Sequence, residues 1–190
     1  MKITLIRHGL TTWNSQNRLL GFTNKKLSKI GVMKANELKE ELKDKEYDIC
    51  YMSPMIRCVE TAIILIGDRV LTKPDKRLME RNMGDLEGKD YSLYDRHKFW
   101  DYDLDSDDLG VEKLSDLFAR CREFLDDIGD YENVLIVSHS AVIRCLYHLI
   151  VGTELKGYLG DKKIPNLCVI ELEYEKKHWC AFLLFITVVI

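Results

Sequence analysis

Ile3-Thr4-Leu5-Ile6-Arg7-His8-Gly9 is a short apolar run with β-branched residues that stops on two basic side chains and a glycine. Such a run reads as a buried strand. Gly9 permits a backbone turn at its end that a residue with a Cβ would resist. The pattern returns at Val134-Leu135-Ile136-Val137, which stops on Ser138-His139, and residues 48–52 read as a further short strand. Helices fall between these strands. Residues 28–43 place Ala35, Leu38 and Leu42 at helical spacing behind Ser28, a plausible N-cap. Ser53-Pro54 reads as an N-cap followed by proline at the first helical position, opening a helix that stops at Gly67. Residues 78–88 read as loop. Residues 112–128 carry Leu114, Leu117, Cys121, Leu125 and Ile128 on one face, and 141–151 form an apolar helix. Residues 167–174 alternate in part and pair with the last segment as a β-hairpin through Glu175-Lys176-Lys177-His178.

Short apolar strands alternating with helices imply βαβ units and a mostly parallel sheet with helices on both faces. The expected class is α/β, a three-layer α/β/α sandwich. The expected organisation is one domain over 1–190 with a variable, lid-like insertion at about 89–111. The 190 residues hold 28 Lys+Arg against 31 Asp+Glu, a formal net charge of −3, so no basic face argues for nucleic acid. At 46% hydrophobic the chain can build a core, which argues against disorder. Six cysteines at 50, 58, 121, 145, 168 and 180 form no CxxC pair and read as buried free thiols of a reducing compartment. The four residues before Arg7 are too few for a secretory h-region. Residues 179–190 are apolar but too short to span a bilayer as a helix, so they read as a terminal buried strand. These features predict a soluble cytoplasmic protein without membrane contact. The apolar tail suits a homodimer edge as well as a buried strand.

Open parallel sheets bind ligands beyond the carboxyl ends of their strands. His8 and His139 each follow a strand and can meet at one crevice. Thr11, Asn14, Arg57 and Glu80 also sit near the ends of predicted elements. Two arginines, two histidines, an asparagine and a threonine supply donors to an anion, and the planar arginine fork matches phosphate oxygens. Glu80 adds one proton donor or acceptor. This set suits phosphoryl transfer, where catalysis is mostly positioning and charge neutralisation. No GxxxxGK[ST] motif is present, which disfavours a nucleotide-driven kinase or ATPase.

Five ordered segments then make a family resemblance specific. Arg7-His8-Gly9-Leu10-Thr11-Thr12-Trp13-Asn14 resembles the RHGxTxxN signature of the histidine phosphatase superfamily, phosphoglycerate mutase-like branch. Ser53-Pro54-Met55-Ile56-Arg57 with Thr61-Ala62, the acid-bearing stretch from Leu78 through Glu80 and Arg81 to Gly88, and Val137-Ser138-His139-Ser140-Ala141-Val142-Ile143-Arg144 resemble its further motifs, as does the stretch from Gly21-Phe22 to Gly31. The resemblance spans roughly residues 1 to 174. It implies a metal-independent phosphomonoesterase that needs no cofactor and acts on a small phosphate ester. His8 would be the nucleophile, attacking as neutral imidazole with a backbone acceptor on its other nitrogen. Arg7, Arg57 and His139 would clamp the phosphoryl oxygens, with Asn14 and the Ser140 amide. Glu80 would serve as general acid and base. Thr11, Gly21, Phe22 and Arg81 join as substrate-binding candidates.

Plainer readings stand beside these. His139 suits a satisfied core position, Arg57 a solvated helix face, and Glu80 the surface, with Glu87 close enough to compete for its role. Arg81 suits a structural ion pair, and Thr11 and Asn14 suit turn residues capping their own backbone. Leu10, Leu20 and Ser140-Ala141 depart from the usual family residues. No adjacent arginine pair occurs in 89–111, where Asp101, Asp103, Asp105, Asp107 and Asp108 suggest an acidic rim that repels a doubly anionic substrate. That favours a phosphatase over a mutase. The same acids with Glu112 mimic calcium-loop spacing, but Ser106 and Asp108 break it, so a solvated acidic loop is the better reading. Tyr91, Tyr94, Phe99, Trp100 and Tyr102 suggest a lid. A phosphoglycerate mutase, a non-catalytic phospho-ligand or partner-binding module, and a metal hydrolase on His8 and His139 remain as rivals. Residues 15–25 and 89–111 would read the leaving group. Sugar phosphates, phosphoglycerates, and nucleoside or cobalamin-precursor phosphates all stay open.

Overall fold

The structure is a computed structural model that describes residues 1–175. Five strands form one sheet: β1 (Lys2–Arg7), β2 (Ile49–Met52), β3 (Leu71–Pro74), β4 (Asn133–Ser138) and β5 (Val169–Glu173), in the order β3-β2-β4-β1-β5. The first four run parallel and β5 runs antiparallel to β1. The helices are α1 (Thr12–Ser15), α2 (Lys29–Glu41), α3 (Ile56–Ile66), α4 (Arg96–Phe99), α5 (Leu114–Asp127) and α6 (Ser140–Val151), with short 3₁₀ turns between them.

Strand side chains alternate between two cores, as the pleat requires. Ile3, Leu5, Ile49, Tyr51, Val134 and Ile136 pack with α5 and α6. Ile6, Cys50, Met52, Leu135 and Val137 pack with α2 and α3. Both faces are thus covered, and the molecule is the expected three-layer α/β/α sandwich. Because β1, β2 and β4 are buried on both sides, they read as unbroken apolar runs rather than alternating ones.

Two local expectations change. The α3 helix starts at Ile56 behind Met55, not behind Ser53; the Ser53 hydroxyl faces His139 instead, at 2.8 Å. The β3 strand had no counterpart in the sequence reading. It is exposed throughout at the sheet edge, where Lys73 and Pro74 are tolerated and no apolar pattern is needed. The β5 strand matches the first arm of the expected hairpin; its second arm and the expected terminal strand over 179–190 lie outside the described residues. Cys50, Cys58, Cys121 and Cys145 are buried free thiols and Cys168 is half-buried. Among the described residues no helix is long and apolar enough to cross a membrane.

Candidate active site

The parallel pairing of β1 with β4 sets Arg7 opposite Ser138, so the next residues, His8 and His139, emerge side by side. The His8 amide continues the ladder to the Ser138 carbonyl at 2.9 Å. The two rings meet edge to face with centroids 5.2 Å apart. His8 Nδ1 lies 2.7 Å from the Gly9 carbonyl oxygen, the backbone acceptor that the sequence reading expected. A carbonyl only accepts, so Nδ1 carries the proton and Nε2 keeps its lone pair. Burial, and after it the charges of Arg57 and Arg7, push the His8 pKa well below the ordinary imidazole range. The ring is therefore neutral at physiological pH.

Arg57 is fully buried (0% exposed) on the first turn of α3. Its Nε donates to His139 Nδ1 at 3.2 Å, and its two terminal nitrogens donate to the Thr23 and Gly21 carbonyls, each at 3.0 Å. His139 Nε2 faces the Ser53 hydroxyl. Both ring nitrogens of His139 and all three nitrogens of Arg57 are thus engaged within the protein. Neither residue lines the open cleft; together they form the layer beneath His8.

Arg7, Asn14, Glu80 and Ser140 do line the cleft with His8. Arg7 donates to the Ile164 carbonyl at 2.6 Å, and its Nε is buried without a partner. Asn14 Oδ1 accepts from the Thr11 amide and hydroxyl at 3.1 and 2.9 Å. One Glu80 carboxylate oxygen accepts from the Arg81 amide at 3.0 Å and the Ala141 amide at 3.2 Å, which ties it to the first turn of α6. Arg120, paired to Glu112 at 2.7 Å, donates to the Glu80 carbonyl at 3.1 Å and fastens this loop to α5.

Glu87, the alternative to Glu80, is committed elsewhere. Its carboxylate accepts from the amides of Phe22 (2.6 Å), Thr23 (2.9 Å) and Met83 (3.4 Å) and from the Thr23 hydroxyl (2.7 Å). It shapes the loop whose carbonyls hold Arg57. Gly21 lines the cleft, but Phe22 is 42% exposed and is not brought to it. Thr11 is also absent from the cleft: it is buried and closes a capping box with Asn14, the plainer of its two readings. Arg81 lines the cleft as a substrate-binding candidate would, and it does not form the structural ion pair that was its plainer reading. It donates to the Glu112 carbonyl at 2.7 Å and to the Phe99 carbonyl, and one terminal nitrogen is buried with no partner.

The cleft encloses about 480 Å³. Residues not singled out from the sequence complete its wall: Arg18, Arg144, Lys163 and Asn166. Arg144 closes the second-histidine motif but carries no expected role, and Lys163 and Asn166 lie in a stretch without periodicity. Asn166 Nδ2 donates to the His8 carbonyl at 2.9 Å. The acidic rim is corrected, because none of the five aspartates lines the cleft. Asp101 caps the Asp103 and Leu104 amides, Asp103 accepts from the Gly157 amide, and Asp105 holds the Ser115 amide and hydroxyl. Asp107 pairs with Lys113, and Asp108 with Lys98. The wall instead carries Arg7, Arg18, Arg81, Arg96, Arg144 and Lys163 against the single carboxylate of Glu80. The aromatic lid divides: Tyr91, Tyr94 and Trp100 line the cleft, while Phe99 stacks on Tyr94 and Tyr102 packs on Phe118.

Known proteins resemble this chain in sequence and fold. The 2,3-bisphosphoglycerate-dependent phosphoglycerate mutase of Methylobacterium sp. (strain 4-46) is 30% identical, over 87% of this chain and 85% of its own. The metal-independent phosphoserine phosphatase of Arabidopsis thaliana is 29% identical, over 86% of this chain and 74% of its own. Among solved structures, Bacillus stearothermophilus YhfR superposes with a TM-score of 0.80 at 29% identity, covering 92% of this chain and 91% of that one. The sequence model of the histidine phosphatase superfamily, branch 1, matches residues 3–186. The chain belongs to the histidine phosphatase superfamily.

Proposed function

We propose that this protein is a metal-independent phosphomonoesterase acting through a phosphohistidine on His8. The observation that carries this reading is a neutral imidazole with its Nε2 lone pair free, at the floor of a cleft lined by cations and one carboxylate. In the first step His8 Nε2 bonds to phosphorus and the ester P–O bond breaks. Glu80 delivers a proton to the departing alkoxide. In the second step water attacks the phosphohistidine, Glu80 takes its proton, and inorganic phosphate leaves with His8 restored. Arg7, Asn14 and the Ser140 amide hold phosphoryl oxygens from the wall. Arg57 and His139 support the site from beneath; the Arg57 charge reaches His8 strongly enough to be the second cause of its lowered pKa.

The mutase reading gains ground from one correction. With the aspartates turned away, the cationic wall does not repel a doubly anionic substrate. The two readings differ in the acceptor of the phosphoryl group, water or a second hydroxyl. Phosphate release from a panel of phosphomonoesters with EDTA present, unaltered protein beside His8→Ala, tests both. A phosphatase releases phosphate, traps an acid-labile phosphoenzyme, and loses at least about 10³-fold in rate in the variant. Isomerised product without phosphate marks the mutase. Binding of phosphate esters that survives His8→Ala, without turnover in the unaltered protein, marks a binding module.

A further inference from the structure

The His8–Gly9 peptide group is held at both ends by side chains from other parts of the chain. The Gly9 amide donates to the Thr61 hydroxyl on α3 at 3.0 Å, and the His8 carbonyl accepts from Asn166 Nδ2 at 2.9 Å. The same nitrogen lies 3.4 Å from the Gly9 carbonyl oxygen and 3.4 Å from Asn14 Oδ1. All three neighbours are acceptors, so the nitrogen end of the carboxamide faces them. The Gly9 carbonyl is also the group that accepts the His8 Nδ1 proton, at 2.7 Å. Its two lone pairs suffice for both donors.

The backbone around Asn166 is bent to put it there. Residues 165–168 make a tight turn, closed by the Cys168 amide on the Pro165 carbonyl at 3.2 Å. Leu167, the third residue of the turn, has a φ of 59°. A left-handed conformation at that place ordinarily calls for glycine. Strained backbone persists where surrounding contacts over-determine it, and it gathers at functional sites. Here the Leu167 amide donates to the Arg7 carbonyl at 3.0 Å, and the Ile164 carbonyl holds the Arg7 guanidinium just before the turn. The turn is thereby fastened to the segment that Asn166 reaches.

We propose that Asn166 is the positioning residue of the nucleophile: its carboxamide pins the Gly9 carbonyl in the place where that carbonyl fixes the tautomer of His8. The consequence for rate rests on the phosphatase reading above; the consequence for the ring does not. Without Asn166 the two carbonyls after His8 lose their common donor and can swing away from the ring. A ring without its acceptor can carry the proton on Nε2 instead. An imidazole in that form has no lone pair at Nε2 to offer phosphorus. Asn166 thus acts through His8.

Nitrogen-15 NMR of the imidazole reads the tautomer directly, with the His8 signals identified by their loss in His8→Asn. The unaltered protein should show a protonated Nδ1 and a bare Nε2 at neutral pH; the reverse would overturn the proposal. Asn166→Ala removes the carboxamide, and Asn166→Asp keeps its size while removing the donors. In both, the His8 nitrogens should shift toward a mixture of tautomers. With a phosphomonoester, kcat should fall about 10²-fold while KM moves less than about threefold. An unchanged His8 tautomer in whichever variant folds overturns the proposal, whatever the rates do. A shifted tautomer without loss of kcat upholds the proposed positioning and counts against His8 as nucleophile. If no ester is turned over, the phosphatase reading fails separately and the ring signals still decide. Should neither variant fold, solvent exchange of the Asn166 carboxamide protons in the unaltered protein decides: protection upholds the contact, and free exchange overturns it.

Discussion

The His8 and His139 rings meet edge to face at 5.2 Å, and both are held uncharged by burial beside Arg57. In each, burial is the largest cause of a pKa well below the ordinary value, with the Arg57 charge next. In the unfolded chain both return to about 6.5. Below that pH the unfolded state binds more protons than the folded one, so stability is fully present above about pH 7 and declines as pH falls. These two rings together should contribute a slope approaching two protons, about 2.7 kcal/mol per pH unit. Urea midpoints between pH 7.5 and 5 check this, and His8→Asn should remove about half of the slope. Midpoints that hold or rise on acidification would contradict it.

Glu80 faces the cleft with one oxygen tied to the Ala141 amide. Glu80→Gln keeps a hydrogen-bond acceptor there and removes the proton chemistry. Turnover of an alkyl phosphate should fall about 10²- to 10⁴-fold. Nitrophenyl phosphate, whose leaving group needs no proton, should give a burst of about one nitrophenol per protein and then slow turnover. Stopped-flow absorbance reads both phases; equal losses on the two esters without a burst would remove Glu80 from the mechanism.

The first turn of α2 rests on the segment after His8. A Cβ on Gly31 would stand 2.1 Å from the Leu10 carbonyl oxygen and 2.9 Å from its amide nitrogen, both backbone atoms that cannot rotate away. Helix propensity alone predicts that Gly31→Ala stabilises by about 1 kcal/mol. The contact predicts the opposite sign, a loss of about 1–3 kcal/mol from overpacking. The urea midpoint of this one variant decides which effect governs.

Glu87 organises the loop from Gly21 to Thr23, whose carbonyls hold Arg57. Glu87→Ala should loosen both anchors and weaken orthovanadate inhibition by about tenfold, the cost of a misplaced positioning group. Vanadate inhibition unchanged in the folded variant would show that Arg57 is held without this loop.

How much could be read beforehand followed physical type. β1, β2 and β4 were legible because strands buried on both faces must be apolar, and α2 because its cap and spacing are local. β3 was not, since an exposed edge strand ending in Lys73-Pro74 obeys neither rule. The Ser53 hydroxyl was read as a cap when a residue 86 positions away engages it. His8, Glu80 and Arg7 stood out through their motifs, but whether a side chain faces the cleft or its underlayer depends on packing between elements. Thr11, Phe22, Arg57 and His139 lie off the wall for that reason, and Arg144 reaches it from the end of the second-histidine motif, where the motif alone gave it no role.

The sheet order has a consequence for the making of the protein. β1 lies between β4 and β5, so among the described strands the one lowest in the sequence is flanked by the two highest. β2 and β3 can pair while translation continues, but β1 has no edge to join until residue 133 has emerged. Until then His8 and His139 cannot be neighbours, and a nascent chain holds no cleft of this kind. Such distant pairing forms slowly and leaves apolar edges waiting. The Ile3-to-Ile6 run is thus an apolar segment that must stay unpaired until β4 and β5 follow it.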